Sequence, residues 1–440
     1  MLDNAPDAGA GVGPEMSPHA GTVAGTEVSP QAGTVVGTEV GPQAGTVAGT
    51  VVSGETAPGF EVVREAFAAN LASGAEVGAA ISVYLRGRKV VDLWGGLADP
   101  EPGRPWERDT LQVVYSTTKA VTAACALLLA QRGELDLDAP VARYWPEFAA
   151  NGKERVPVRW LLTHQAGLPT LDHPVTPAEV IAWDPVVDAL AVQRPFWEPG
   201  TEHGYHAHTY GWLVGEVVRR VSGRSLGTFL AEEIARPLGL DLWIGLPEQE
   251  HHRVSRIVTD PGGFDLSAID LTTVPEPMRD VMAAYADPAS LTVRAMMVVQ
   301  PLLDHNDPRE QAAELPATNG ICTARALAAF YAALIGEVNG HRILTPATLA
   351  AATAEQVAGL DRILRVPVRI GTGFGLPTPD AYWYSPTAFG FGGLGGSLGF
   401  ADPSTGLAFG YVMNRIRDGV PDTRAARLFE AVKEAMQAHA

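Results

Sequence analysis

Apolar residues recur at helical spacing over 61–72, where Val62, Val63, Phe67 and Leu71 share one face. The pattern then tightens into two short apolar runs, 79–85 and 89–94. Joined by Arg86-Gly87-Arg88, they predict a β-hairpin whose second strand is broken at Gly95-Gly96. Residues 110–114 form a strand-like lead-in to a run that is apolar on every side from Ala120 to Ala130. No Gly or Pro interrupts that run before Gly133, so a buried helix should open at Ser116. Further helical patterns lie at 158–162, 210–220, 226–234, 323–334 and 423–437, and a strand at 408–413. Strands therefore gather at both ends of the chain and helices fill the middle. The expected class is mixed α/β, of the α+β kind, with one sheet made from both termini and a helical lobe inserted between its halves.

Residues 1–58 have a different texture. The segment from Pro18 to Ser29 recurs from Pro30 and again from Pro42, and these copies are rich in Gly and Thr with no Leu, Ile or aromatic residue. Such repeats cannot bury enough surface to order themselves. We expect a disordered leader over 1–58 and one domain over 59–440, with an α/β lobe at roughly 59–125 and 317–440 and a helical lobe at roughly 126–316.

Composition narrows the function classes. With 440 residues, 46% of them hydrophobic, the chain can build a large core or two packed lobes, not several independent domains. No apolar run approaches the ~18 residues a membrane span needs. A net charge of −18 and a pI near 5.0 argue against nucleic acid and anionic membranes as partners. Cys125 and Cys322 sit in apolar surroundings and read as small core residues, not a bridge. The first residues lack a basic segment followed by an apolar core, so a cytoplasmic location is expected. Nothing in the sequence fixes an oligomeric state.

Ser116-Thr117-Thr118-Lys119 is the candidate chemistry. On a helix the serine and the lysine share one face. A hydroxyl is a poor nucleophile, and a lysine desolvated at a helix start can be neutral enough to take its proton. The bland alternative is an N-cap serine beside a solvated lysine. A lysine one turn into an apolar run is not placed for solvent, however, and burying it needs a reason.

Further along come Leu161-Leu-Thr-His-Gln-Ala-Gly-Leu-Pro169, Pro199-Gly200 leading to Tyr205-His206-Ala207, Arg236-Pro-Leu-Gly-Leu-Asp241, Asn319-Gly-Ile-Cys-Thr-Ala-Arg325, and Phe391-Gly392-Gly393 before a glycine-rich turn. In these ordered motifs, from about residue 60 to the end, the chain resembles the serine β-lactamase and penicillin-binding-protein superfamily. Within it the resemblance is to the class C-like branch that contains the family VIII carboxylesterases. The resemblance implies an antiparallel sheet flanked by helices, an acylated nucleophile at Ser116, its base at Lys119, and a proton-shuttling tyrosine at Tyr205. It also implies an oxyanion hole from the backbone N–H groups of Ser116 and Leu394. Phe391, Gly392, Gly393 and His206 then contact substrate. A phenol beside the Lys119 ammonium should lose its proton more readily.

Two departures separate the chain from the lactamases. Their second motif reads Tyr-x-Asn where this chain has Tyr205-His206-Ala207, and their third begins with Lys or His where this chain has Phe391. Losing that amide and that cation removes the grip on a β-lactam's amide and carboxylate. The expected reaction is hydrolysis of small, uncharged carboxylic esters through a Ser116 acyl-enzyme, with no cofactor. The alternatives are acyl transfer or amide formation at the same site, and a catalytically silent binding domain. Acceptor choice depends on pocket shape in the helical lobe, which residues 247–316 are expected to supply.

Other features invite competing readings. Gly395-Gly-Ser397-Leu-Gly399 fits a nucleophile elbow, but a turn is expected after it, and the only later histidine is His439. His203, His206 and His208 lack the helical spacing and the carboxylate of a zinc site, so no metal is expected. His164 reads as a brace for its turn, and residues 304–308 as a surface loop near the cleft mouth.

Overall fold

The computed structural model describes residues 51–259, 276–378, 385–417 and 422–438, so the repeats at 18–50 and part of the expected pocket segment lie outside the described residues. Four strands come from the first part of the chain: β1 (Val52–Thr56), β2 (Gly78–Leu85), β3 (Arg88–Asp99) and β4 (Arg104–Pro105). Short strands follow at β5 (Gln112–Val113), β6 (Leu242–Trp243), β7 (Val258–Thr259) and β8 (Ile321–Cys322). The last part supplies β9 (Val357–Leu360), β10 (Pro367–Ile370), β11 (Gly375–Leu376), β12 (Phe389–Gly392), β13 (Leu398–Asp402), β14 (Leu407–Met413) and β15 (Arg415–Ile416).

The main sheet runs β1-β3-β2-β14-β13-β12-β11-β10-β9, antiparallel throughout, with β4 on β3. Its centre is the pairing of β2 with β14, so both ends of the chain are needed to close it. Alternation along these strands sorts side chains to two faces. Ile81, Val83, Phe409 and Tyr411 join Phe67, Leu71, Leu428 and Val432 of helices Glu61–Ala72 and Arg424–Gln437. Ala80, Ala408 and Val412 face the larger core, where helix Ala324–Ile335 lies on the sheet. Gly410 lets that helix approach, since a Cβ there would come within 2.6 Å of the Ala324 carbonyl oxygen.

Between the two sets of strands, helices Thr118–Gln131 and Thr209–Ser222 pack together in the larger core. Helix Thr118–Gln131 is buried from Thr118 to Leu129, which explains its lack of a polar stripe. A small separate sheet, β5-β8-β6, leads the chain into it. Cys125 and Cys322 are buried and unbridged. Among the described residues no helix is long and apolar enough to cross a membrane.

Three sequence expectations are corrected. Val52–Thr56, assigned to the leader, is the edge strand: it pairs with β3, and Arg64 donates to the carbonyls of Val52 and Gly54. Strand β3 does not break at Gly95-Gly96 but runs through to Asp99. Those glycines are there for close approach, a Cβ at 96 falling 2.2 Å from the Val77 carbonyl oxygen. The residues after Ser397 form β13 and not a turn; Gly399 makes room for the Tyr331 ring, 2.3 Å from where its Cβ would stand.

Candidate active site

Strand β5 delivers the chain to Tyr115, whose φ of +45° is unusual for a bulky residue. The kink is held from two sides: the Tyr115 ring meets His305 edge-on at 5.0 Å, and Thr118 Oγ1 donates to the Tyr115 carbonyl. Ser116 follows, one residue ahead of the Thr117 cap of helix Thr118–Gln131, with its side chain partly open to solvent. The first turns of this helix grip the 316–320 segment. Thr118 Oγ1 accepts from the Gly320 N–H, Lys119 Nζ reaches the Ala317 carbonyl, and Thr122 Oγ1 donates to that of Pro316.

Lys119 is fully buried, and the contacts of its Nζ are the Ser116 Oγ at 3.1 Å and the carbonyls of Ala207 and Ala317 at 2.8 and 3.1 Å. Burial holds its pKa well below the usual lysine value. A neutral amine has two hydrogens and one lone pair. In its neutral form, with both hydrogens on the two carbonyls, the amine would have its lone pair free for the Ser116 hydroxyl. Tyr205 completes the chain by donating its O–H to Ser116 Oγ at 2.7 Å. Its pKa is raised, mainly by burial. Burial works against both halves of the expectation that a Lys119 ammonium eases ionisation of Tyr205, because it disfavours the charged amine and the phenolate alike.

Three imidazoles stand behind Tyr205. His164 adopts φ of +60°, accepts the His206 N–H at Nδ1, and places its ring 5.1 Å from that of Tyr205, as a brace would. His206 was expected to contact substrate, and the structure corrects this. It is fully buried; its Nε2 accepts the Leu168 N–H and its Nδ1 donates to the Gly204 carbonyl, so neither nitrogen is free. Burial pushes His206 down to about 4 and His208, which donates to the Met296 carbonyl, down to about 3. His305, expected in a surface loop, is buried beneath Tyr115.

The opposite wall is strand β12. The Phe391 ring stacks on Tyr205 at 6.4 Å and lies 6.0 Å from Lys119 Nζ. Gly393 runs directly against the nucleophile segment, since a Cβ there would stand 2.2 Å from the Val114 carbonyl oxygen. Ser397 fastens this contact. Its buried Oγ donates to the Val114 carbonyl at 2.8 Å and lies 3.1 Å from Thr117 Oγ1, turned away from solvent. Leu394, next along, is 61% exposed at the rim. Trp197, Ala295 and Ile363, with Phe196, Leu291 and Met296, form an apolar cluster around Tyr205.

Sequence reasoning missed four contributors. The Ala207 and Ala317 carbonyls are backbone groups that no side-chain pattern reveals. Asp361 and Arg424 act on the site across long stretches of chain, through the Tyr205 N–H and the Gly395 carbonyl respectively. Among the described residues no three His, Cys, Asp or Glu side chains converge as a metal would require.

Fold and site together define a serine hydrolase. Residues 63–433 match the family model described as Beta-lactamase. Esterase/beta-lactamase LipL of Mycobacterium tuberculosis (strain ATCC 25618 / H37Rv) is 37% identical over 378 residues, 83% of this chain and 83% of that protein. The crystal structure of a family VIII carboxylesterase superposes with a TM-score of 0.77 at 41% identity, covering 88% of this chain and 100% of that one. A penicillin-binding protein homolog from Caulobacter crescentus gives 0.76 at 40% identity, again over 88% and 100%. The chain belongs to the Beta-lactamase family.

Proposed function

We propose that the protein hydrolyses small carboxylic esters through an acyl-enzyme on Ser116. The observation that carries the reading is the convergence of the Tyr205 O–H and Lys119 Nζ on Ser116 Oγ, at 2.7 and 3.1 Å. Ser116 Oγ bonds to the ester carbonyl carbon as its proton passes to Lys119. The N–H groups of Ser116 and Leu394 stabilise the oxyanion; the approach of Gly393 to Val114 supports that pairing. Collapse breaks the carbon–oxygen bond to the leaving alkoxide, which takes the Tyr205 proton, and Lys119 resupplies the phenol. Water then enters by the reverse route, its proton returning to Ser116 as the acid departs.

Ester preference is supported by what lines the cleft. Phe391 occupies the position where a cation would grip a carboxylate, and Ala207 is buried, its carbonyl committed to Lys119. The apolar cluster beside Tyr205 favours uncharged acyl groups. Free, buried cysteines agree with a cytoplasmic setting.

Mass spectrometry after treatment with a fluorophosphonate or p-nitrophenyl butyrate tests the reading. An adduct on the Ser116 peptide, lost in Ser116→Ala together with turnover, is expected. Turnover surviving in Ser116→Ala, or nitrocefin hydrolysis rivalling that of the ester, would overturn it.

A further inference from the structure

Asp361 lies at the end of β9 with its carboxylate fully buried. One oxygen, Oδ1, accepts three backbone N–H groups: Ile363 and Leu364 at 2.8 Å each and Tyr205 at 3.0 Å. The first two belong to the local turn, which an aspartate caps unaided. The third comes from 156 positions earlier in the chain and is surplus to that turn. The turn also reaches the apolar wall, because Thr292 Oγ1 donates to the Ile363 carbonyl at 2.7 Å and so ties in helix Leu291–Met296. A single oxygen thus fixes Tyr205 relative to the residues that flank the substrate. Among the described residues the second oxygen, Oδ2, is buried without a hydrogen-bond partner, as is Nε2 of nearby His203. Leaving a carboxylate oxygen unpaired is costly. Burial raises the Asp361 pKa and the three N–H donors on Oδ1 oppose it, since hydrogen bonds to the ionised form are about twice as strong as neutral ones.

We infer that Asp361 is the positioning residue for Tyr205: its Oδ1 holds the Tyr205 backbone so that the phenol meets Ser116 Oγ. The inference rests on reading Tyr205 as the residue that protonates the leaving group. Displacing a catalytic group by about 1 Å can cost a hundredfold in rate. Asp361→Ala should therefore lower kcat for p-nitrophenyl butyrate by about a hundredfold, with KM changed less than about threefold, because the apolar wall still receives substrate. Asp361→Asn keeps an acceptor oxygen but not its charge. It should recover most of that loss and remain about fivefold below the native enzyme, again in kcat. Thermal unfolding of each variant is followed alongside. Losses that appear in KM, or a native kcat in either variant, overturn the inference. If Asp361→Ala does not fold, Asp361→Asn decides alone by the same criterion. Tyr205→Phe separates the two levels. Native turnover in that variant removes the reading of the site itself, whereas an inactive Tyr205→Phe beside native Asp361 variants removes only the role of Asp361.

Discussion

Lys119 is a lysine whose burial holds its pKa well below the usual value. Between its depressed folded value and the ordinary lysine value near 10.4, an unfolded chain carries a proton at this position that the folded chain lacks. Acid within that window therefore favours unfolding, and the Lys119 contribution to stability grows as pH rises. In Lys119→Met, the thermal midpoint is expected to climb less steeply with pH than in the native enzyme, while kcat falls by about a hundredfold or more. Parallel Tm-against-pH curves for the two proteins would contradict this account. That Ser116, Lys119 and Tyr205 come together was legible in the sequence because all three are side chains in motifs at recognisable spacings. His206 was misjudged because a motif position does not disclose which way a ring points, and here both nitrogens are spent on backbone.

At the scale of elements, the terminal helix Arg424–Gln437 matters beyond the apolar face it packs against helix Glu61–Ala72. Its buried first residue, Arg424, donates to the Gly395 carbonyl at 2.6 Å, to Glu76 Oε2 at 2.9 Å and to Asp422 Oδ2 at 2.6 Å. Gly395 lies in the turn that carries Leu394, so an arginine on one side of the sheet steadies a loop at the cleft. Arg424→Met leaves Glu76 buried with only the Tyr411 hydroxyl and no guanidinium, and urea denaturation should show a loss of about 3 kcal/mol or more. Activity per folded molecule should also drop. Unchanged stability would mean that the network is dispensable. Helices such as Thr209–Ser222 and Arg424–Gln437 were legible from a strong apolar period, and helix Thr118–Gln131 from its unbroken apolar run. Strands two residues long have no period, and glycines at 95, 96 and 399 read as breaks although each admits a neighbour to a continuous strand.

For the molecule as a whole, the division into terminal strands and central helices was visible in the order of patterns alone. The extent of the sheet was not, because β1 looks like one more copy of the Gly- and Thr-rich leader. Its worth is measurable. A chain beginning at Gly59 lacks the partner of β3 and the acceptors of Arg64, and its Tm should fall by about 2 °C or more relative to a chain beginning at Val51. Equal midpoints would show that β1 adds nothing to the fold.

The β2–β14 pairing has a consequence for biosynthesis. At ribosomal rates of roughly 5–20 residues per second, β2 emerges on the order of tens of seconds before the strand that covers its flank. Throughout that interval the nascent polypeptide displays an apolar ribbon with an open hydrogen-bonding margin, the kind of surface on which chains aggregate. Moving the C-terminal strands ahead of β2 by circular permutation would shorten the wait, and the yield of soluble enzyme at high expression should rise accordingly.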